Sequence, residues 1–307
     1  MVDLSVIIVS YNTRELTLEC LRSLYAETKE IEFEVIVVDN NSSDKSAEAI
    51  LENFPQAHLL ALDKNLGFAG GNNLGAKEAS GRRILLLNPD TVVLDRAIDH
   101  LFAFAEEYPD CCIWGGRTVF EDGTLNIGSC WGKPNPWSVF CRATGISRLF
   151  HNASWCDSEV MAGWRRDSIK HVDIVSGCFF MINRDMWENL GGFDEAFFMY
   201  GEEVDLCLRS YALGAGPMIT PLATIIHYGG RSDTVREDQT VRQFQAKARL
   251  YQKHWGPISS WFMINMLSVW SFRRLFVGYL LYVIHFGKYP ELSVWRSIWK
   301  RRQEWRL

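Results

Sequence analysis

The chain has 307 residues, 48% of them hydrophobic, 22% charged and 13% aromatic, so it is long enough for one large globular domain or two smaller ones. Its formal net charge of -5 argues against nucleic acid as a partner. The charge is uneven along the chain. The segment from Trp255 onward carries +6, and the residues before it carry -11.

The cysteines and the first residues indicate the cellular compartment in which the protein is expected. The eight cysteines form no CxxC pair and have no metal-ligand spacing. The opening MVDLSVIIVS predicts a strand rather than a signal segment. Thiols without an export signal favour a reducing environment, so we expect a cytoplasmic protein.

The first part of the chain alternates between strand and helix patterns. Strands are predicted at LSVIIVSYN, FEVIVVDNNSSD, residues 58–62 and RILLLNPDT, with helices between them, the third near residues 74–79. A further strand is predicted at residues 223–227. Continuous apolar strands that alternate with helices are typical of a parallel α/β sheet covered on both faces.

Three predicted strands end in polar residues. They are Ser10, Tyr11 and Asn12 after the first strand, Asp39 and Asn40 after the second, and Asn88 and Asp90 after the fourth. Ligands of such sheets bind beyond the carboxyl ends of the strands, so we expect these residues to face one crevice. Two interpretations remain open for Asp39: it caps the next helix, or it accepts a hydrogen bond from a pyrimidine ring N–H.

The segment NLGFAGGNN places Gly67, Gly70 and Gly71 at the opening of a helix. Glycines allow close approach of the backbone to a ligand, and the N–H groups at a helix N-terminus favour phosphate. A tight structural turn explains the same glycines. Their spacing matches neither the dinucleotide fingerprint nor the P-loop, which argues against those two classes.

Two further positions carry ionisable groups suited to chemistry. Asp90 is a candidate ligand for a hard cation that bridges a diphosphate, and His227 is a second ligand, a phosphate contact or an ordinary loop histidine. GEEVDLCLR begins a predicted helix with Glu202, Glu203 and Asp205, which complement the helix dipole or supply a general base. Adjacent carboxylates raise each other's pKa, and helix geometry turns only one of the two glutamates to the crevice.

The C-terminal segment differs from the rest. Two apolar stretches lie on either side of Arg273 and Arg274, and neither reaches the ~20 residues that span a bilayer. Six of the twelve tryptophans lie at or after Trp255, among basic residues. This pattern predicts a segment in the membrane interface. The alternative is a pair of helices that packs on the catalytic domain or on another subunit.

In this order, the segments resemble the family 2 glycosyltransferases, which have the GT-A type nucleotide-diphospho-sugar transferase fold. The matching pieces are SVIIVSYN, VIVVDNNSSD, NLGFAGGNN, LLLNPD, GGFDEAFFMYGEEVDLCLR and HYGGRS, which cover most of residues 3–232. The resemblance implies an α/β catalytic domain over residues 1–232 with a mostly parallel sheet, divided near residue 110 into donor-binding and acceptor-binding halves. Residues 233–307 then form a C-terminal helical extension.

The resemblance also implies residue roles. Asn88-Pro89-Asp90 stands where the family has its Asp-x-Asp metal motif, which leaves Asp90, with His227, to hold Mg²⁺ or Mn²⁺. Asn72 stands where many members have an arginine, so no phosphate contact is carried over to it. Glu203 matches the catalytic base, with Glu202 in reserve. The donor-binding candidates are Ser10, Tyr11, Asn12, Asp39, Asn65, Gly67, Gly71, Asn88, Asp90 and Arg231, and the acceptor-binding candidates are Trp187, Asp194 and Asp205.

Within the family, the segments look most like the bacterial rhamnosyltransferase-type branch. That branch implies an inverting enzyme that moves L-rhamnose from dTDP-rhamnose to a saccharide or polyprenyl-linked acceptor in cell-wall or surface polysaccharide synthesis. It also implies a protein attached peripherally to the inner face of the cell membrane, and a homo-oligomer is left open. The alternatives are a UDP-sugar donor, a non-catalytic sugar-nucleotide-binding subunit, or a nucleotidyltransferase, which lacks its expected phosphate loop here.

Overall fold

The computed structural model describes residues 2–150, 153–229, 236–286 and 288–306. The chain forms two compact units, one of Met1–Trp131 with Trp164–Ser232 and one of Gly132–Gly163 with Asp233–Leu307. Gly132–Gly163 therefore packs with the C-terminal extension, although its place in the sequence is inside the predicted catalytic domain. The division into donor-binding and acceptor-binding halves stays a prediction.

The elements are numbered in chain order. The strands are β1 (Leu4–Ser10), β2 (Phe33–Asp39), β3 (His58–Ala61), β4 (Arg83–Leu87), β5 (Thr91–Val93), β6 (Ile113–Val119), β7 (Leu125–Asn126), β8 (Cys130–Trp131), β9 (Lys170–His171), β10 (Ile174–Val175), β11 (Phe179–Asn183) and β12 (Met218–His227). The helices are α1 (Arg14–Glu27), α2 (Ser46–Asn53), α3 (Gly67–Glu78), α4 (Ala97–Glu107), α5 (Pro136–Thr144), α6 (Ile146–Leu149), α7 (Arg184–Leu190), α8 (Glu202–Ser210), α9 (Arg236–His254), α10 (Pro257–Ile284) and α11 (Glu291–Lys300).

The first unit is built on a ten-stranded sheet in the order β3-β2-β1-β4-β11-β6-β12-β5, with β7 beside β6 and β9 beside β12. The four strands from β3 to β4 are parallel, whereas β11 runs antiparallel to both of its neighbours. Strand β12 extends the predicted last strand by five residues and pairs parallel with β6. The predicted α/β architecture with a mostly parallel central sheet is confirmed.

The register of β1 and β2 sets the position of the strand ends. Seven consecutive residue pairs join the two strands, and the last pair is Ser10 with Asp39. Every residue of β1 and β4 is buried, as continuous apolar runs predict for strands covered on both faces. The polar residues after these strands therefore lie at one edge of the sheet.

Helix α3 begins at Gly67, seven residues before the start predicted at residue 74. The prediction was wrong because the glycines were interpreted as a loop. They pack the helix on the sheet instead: a Cβ atom at Gly71 would lie 2.8 Å from Cγ1 of Val9, and one at Gly75 would lie 2.6 Å from Cγ2 of Ile7. Residues without side chains let the helix axis approach β1 closely.

The C-terminal unit contains α5, α6 and α9 to α11, and its core is formed mainly by α9, α10 and α11 with Val139 of α5. The two apolar stretches predicted here are a single helix, α10, of 28 residues, which continues through Arg273 and Arg274. The inference that neither stretch could span a bilayer is corrected accordingly. Among the described residues, α10 is the one helix long and apolar enough to cross a membrane by length and composition.

Candidate active site

Asp39 ends β2 with its two carboxylate oxygens in different situations. The residue is 2% exposed, and its Oδ2 accepts a hydrogen bond from the backbone N–H of Ser42 at 2.9 Å. Its Oδ1 is buried without a partner among the described residues. Buried polar atoms are nearly always hydrogen-bonded, so this oxygen is available to accept a further hydrogen bond. The predicted cap of the next helix is wrong, because α2 begins after Lys45 without a side-chain cap and Asp39 closes a turn at Ser42 instead. The role as an acceptor for a pyrimidine ring N–H stays a prediction.

The residues after β1 divide between the interior and the surface. The hydroxyl of Ser10 is buried 3.1 Å from that of Thr17. The side-chain oxygen of Asn12 accepts the backbone N–H of Ser43 at 2.8 Å and so joins the loops after β1 and β2. The ring of Tyr11 is 45% exposed. Of the three predicted donor-binding residues, Tyr11 presents a free aromatic surface, and the other two hold the loops.

Asn40, which with Asp39 forms the polar end of the second strand expected at the crevice, fixes the start of α3. Its amide nitrogen donates to the carbonyl of Gly67 at 2.9 Å, and its amide oxygen accepts the N–H of Leu66 at 3.2 Å. The side chain of Asn65 accepts the N–H of Gly67 at 2.8 Å. Gly67 has φ +75°, and a Cβ atom there would collide with the carbonyl oxygen of Phe198. Glycine is therefore required at this position to let the loop before α8 approach α3.

The side chain of Asn72, to which no phosphate contact was carried over, is buried inside α3. Asn72 is 1% exposed, and its amide donates to the carbonyl of Phe68 within the same helix at 2.9 Å. It cannot reach a phosphate in this arrangement. Packing accounts for Gly71 without any ligand, and its predicted donor-binding role stays a prediction.

Asp90 and His227 are brought together by the pairing of β5 with β12. Thr91 pairs with His227, which places Nε2 of the histidine 3.4 Å from Oδ1 of Asp90. Asp90 is 3% exposed. Burial by itself lowers the pKa of His227, but the neighbouring Cys178 and Asp90 outweigh it and raise that pKa. The raised pKa favours the protonated form of His227, so a cation would compete with that proton.

The donor atoms around Asp90 fit a cation that is only partly held by protein. No group of three or more His, Cys, Asp or Glu side chains is placed to hold a metal ion in the described part of the chain. However, the side-chain oxygen of Asn88 and Nδ1 of His227 are both buried without a partner among the same residues. A hard cation beside a diphosphate needs only one or two carboxylates, because phosphate and water complete its shell.

Glu202 and Glu203 begin α8 and carry perturbed carboxyl groups. Glu202 is 4% exposed, whereas Glu203 is partly exposed, and one oxygen of each is buried without a partner among the described residues. Burial raises the pKa of both, and the charge of Glu203 raises the pKa of Glu202 further. Burial disfavours a charge on Glu202 more than on the partly exposed Glu203, so Glu203 is the residue better placed to carry the negative charge of the pair.

Glu203 adjoins the glycine-rich segment through a turn that the sequence did not single out. A Cβ atom at Gly177 would lie 3.8 Å from the Cβ of Glu203 and 3.2 Å from the ring of Phe68. The backbone carbonyl of the next residue, Cys178, accepts a hydrogen bond from the backbone N–H of Asn88 at 3.1 Å. This turn connects the Glu203 side of the site to the Asn88 side. Its one sequence signal is the small pair Ser-Gly ahead of the apolar run of β11.

The predicted acceptor-binding residues lie near one another but are engaged in the fold. Trp187 is 5% exposed, with its ring centroid 5.0 Å from that of Phe193. Asp205 is buried and its carboxylate binds Nε of Arg209 at 2.7 Å. Oδ1 of Asp194 accepts a hydrogen bond from the backbone N–H of Ala196. Their roles stay predictions, and Arg231 lies outside the described residues.

Comparisons with known proteins identify the family of the chain. The model of the family described as "Glycosyl transferase family 2" matches residues 5–187. The O-antigen biosynthesis protein RfbC of Myxococcus xanthus is 30% identical over 75% of this chain, which spans only 18% of that relative. The N-acetylglucosaminyl-diphospho-decaprenol L-rhamnosyltransferase of Mycobacterium tuberculosis is 26% identical over 64% of this chain and 67% of its own length.

One solved structure shows the same fold over the whole chain. It is the mannosyltransferase PcManGT from Pyrobaculum calidifontis in complex with GDP-Man and Mn²⁺. The TM-score is 0.58 over 100% of this chain and 88% of that one, at 14% sequence identity. At this identity the likeness concerns the fold alone, and it confirms the predicted fold class.

The buried glutamate predicts a stability that depends on pH. Because the pKa of Glu202 is raised in the folded state, the folded protein keeps a proton that the unfolded chain loses, and stability falls as the pH rises above the ordinary glutamate range. Glu202→Gln removes this loss and should stabilise the protein by up to about 1.4 kcal/mol per pH unit above that range. Melting temperatures at pH 5 and pH 8 measure the difference.

The matched control is Glu78→Gln, which changes an exposed glutamate of α3 in the same unit. It should leave the pH dependence of the melting temperature as in the wild type. An equal gain at pH 5 and pH 8 in Glu202→Gln would contradict the raised pKa.

Proposed function

The chain belongs to glycosyl transferase family 2, and we propose that it transfers L-rhamnose from a nucleoside diphosphate to a hydroxyl of a saccharide or polyprenyl-linked acceptor. The observation that carries the proposal is the pair of buried Glu202 and partly exposed Glu203 beside the turn at Gly177, in the same unit as the unpaired oxygen of Asp39. A candidate base and a candidate donor-binding carboxylate therefore belong to one unit of the fold.

Glu203 acts as the general base. Its carboxylate takes the proton of the acceptor hydroxyl, whose oxygen forms a bond to the anomeric carbon while the bond to the diphosphate oxygen breaks. Attack opposite the leaving group inverts the configuration. The raised pKa of Glu203 makes it a stronger base than an ordinary glutamate, and protonated Glu202 avoids a second negative charge next to it.

The donor nucleotide would lie at the carboxyl ends of β1 and β2. The free Oδ1 of Asp39 accepts the ring N–H of a pyrimidine, as in thymine or uracil, and the exposed ring of Tyr11 offers a surface for stacking. This chemistry does not separate dTDP from UDP, since both bases carry that N–H. The name of the mycobacterial relative and the branch resemblance favour rhamnose as the sugar.

Asp90 and His227 would hold a divalent cation, Mg²⁺ or Mn²⁺, which neutralises charge on the leaving diphosphate. The residues themselves are oriented by the pairing of β5 with β12 and by the hydrogen bond from the N–H of Tyr228 to the carbonyl of Asp90 at 3.1 Å. The backbone positions of both residues are fixed, so binding of the cation requires loss of the proton on His227 rather than movement of the strands.

We propose further that the C-terminal unit attaches the protein to the cytoplasmic face of the membrane. Helix α10 exposes Phe272 (52%), Phe276 (54%) and Val283 (72%) at helical spacing. An orientation across the bilayer would place Arg273 and Arg274 near the middle of the hydrocarbon, which is costly. The helix therefore fits the interface better than a span.

The base assignment predicts unequal effects of two conservative variants. Glu203→Gln should lower kcat about 10²- to 10⁴-fold with little change in KM, because only proton transfer is lost. Glu202→Gln should retain most activity, since the amide resembles the protonated acid. Release of nucleoside diphosphate from a panel of nucleotide sugars, with acceptor present, measures both variants and also identifies the donor.

The pH profile gives a second test of the same residue. Because the pKa of Glu203 is raised, the wild-type rate should fall as the pH drops through a value above the ordinary glutamate range. Near-normal transfer by Glu203→Gln, together with loss in Glu202→Gln, would reverse the assignment.

Removal of the Asp90 carboxylate tests the cation site. Asp90→Asn should raise the Mn²⁺ concentration for half-maximal diphosphate release about 10-fold or more, with an unchanged circular dichroism spectrum. The matched control is Asp95→Asn, an exposed carboxylate in the turn after β5. An unchanged Mn²⁺ titration in Asp90→Asn would leave the Asp90–His227 pair a structural contact.

Charges on the exposed face of α10 test membrane attachment. Phe276→Asp with Val283→Asp should abolish flotation of the full chain with phospholipid vesicles. Both side chains are exposed, and burial of each in the membrane would stabilise the bound state by about 1.5–3 kcal/mol. Leu222→Asp is the control, since Leu222 is 68% exposed in the other unit. Flotation of the double variant at the wild-type level would show that another surface binds.

A further inference from the structure

The C-terminal unit contains a cavity of about 410 Å³ with basic walls. Four arginines line it: Arg142, Arg148, Arg273 and Arg274. Asp157 is the one acidic side chain among the lining residues, and Arg142 binds it through two nitrogens at 2.9 and 3.1 Å. Arg142 also binds Glu159 at 2.9 Å, so two carboxylates share its charge, and the surplus positive charge of the cavity comes from Arg148 and Arg273.

Two of the arginines have no acidic partner. Neither Arg148 nor Arg273 forms an ion pair within the described part of the chain. Arg273 donates from Nε to the carbonyl of Ala143 at 2.8 Å, and it reaches this helix end because Gly145, at φ +89°, has no Cβ in the way. Burial lowers the pKa of Arg273, and the charges of Arg274 and Arg148 lower it further. A bound anion would reduce the repulsion between these guanidinium groups.

The aromatic wall lacks a hydrogen-bond acceptor. Trp295 lines the cavity and is 7% exposed, and its indole Nε1–H has no partner among the described residues. The guanidinium of Arg274 lies 4.8 Å from the centre of this ring and 3.3 Å from a carboxylate oxygen of Glu291. An unsatisfied buried donor is destabilising, so this wall of the cavity is not fully satisfied by the protein alone.

The same helix that contributes Arg273 and Arg274 exposes apolar side chains. Phe272 and Phe276 flank the two arginines in sequence, and both rings are more than half exposed. An anion-binding cavity next to an apolar helix face matches an amphiphile, with its charged group in the cavity and its hydrocarbon on the helix. A free phosphate would use the cavity alone and leave the apolar face without a role.

We propose that this cavity binds the phosphate group of a lipid headgroup at the membrane surface, through Arg148, Arg273 and Arg274. The inference rests on the proposed attachment of α10 to the membrane. It adds a specific phosphate site to what would otherwise be a non-specific apolar and basic surface.

The test uses the full chain and vesicles of phosphatidylcholine with or without phosphatidylglycerol. Arg148→Gln with Arg274→Gln should weaken sedimentation with the phosphatidylglycerol vesicles about 10- to 30-fold, at about 1 kcal/mol for each basic residue at the surface. Arg249→Gln with Lys300→Gln removes the same charge from exposed positions that do not line the cavity. It should weaken binding to the phosphatidylglycerol vesicles by less than about 3-fold. Replacement of Arg148 and Arg274 by lysine should restore most of the binding.

Single variants and a soluble probe separate the outcomes. Arg148→Gln alone changes an exposed residue without an ion pair, so it cannot unfold the unit, and it should still weaken phosphatidylglycerol binding about 3- to 5-fold. Equal losses in the cavity and control double variants would overturn the proposal. So would binding of inorganic diphosphate that depends on the cavity while neither vesicle binds, because the ligand would then be free phosphate.

The outcomes also distinguish this site from the attachment itself. If the wild type binds both kinds of vesicle equally and Phe276→Asp with Val283→Asp abolishes binding, the helix attaches the protein but the phosphate site is refuted. If the wild type binds no vesicle, the attachment fails and the lipid site fails with it.

Discussion

The parallel register of β1 and β2 is the constraint on which the site depends. It places Ser10 beside Asp39 and ends both strands at one level. Asn40, one residue further, then reaches the backbone at the start of α3, where its amide nitrogen donates to the carbonyl of Gly67 and its amide oxygen accepts the N–H of Leu66. A shift of the register by one residue would turn Asp39 to the other face of the sheet and separate it from α3.

The sequence predicted the parts of the site in which two independent signals coincide. A buried apolar run followed by polar residues identified the ends of β1, β2 and β4, because continuous burial has a composition of its own. It could not predict the roles of Asn40 and Gly177, which come from contacts with residues distant in the chain. The glycines of α3 misled the prediction, since close packing and loop flexibility call for the same residue type.

The C-terminal unit was harder to predict for a different reason. The apolar pattern alone could not show that α10 continues through two arginines, because the backbone carbonyls that accept hydrogen bonds from Arg273 lie in residues 132–163. Once α5 supplies carbonyl acceptors, a charged pair no longer interrupts the helix. Asp39 shows the converse case, in which sequence left two roles open and the structure removes one, since Asp39 closes a turn and does not cap α2.

The place of Arg273 and Arg274 near the middle of α10 has a consequence for any membrane it meets. Hydrated guanidinium groups limit how deeply a helix lying in the interface can sink, so immersion would stop at the level of the phosphates. Such a helix is indifferent to bilayer thickness, to which a spanning helix must be matched. It responds instead to surface charge and lipid packing, so a change in headgroup composition would alter how much of the protein is at the membrane.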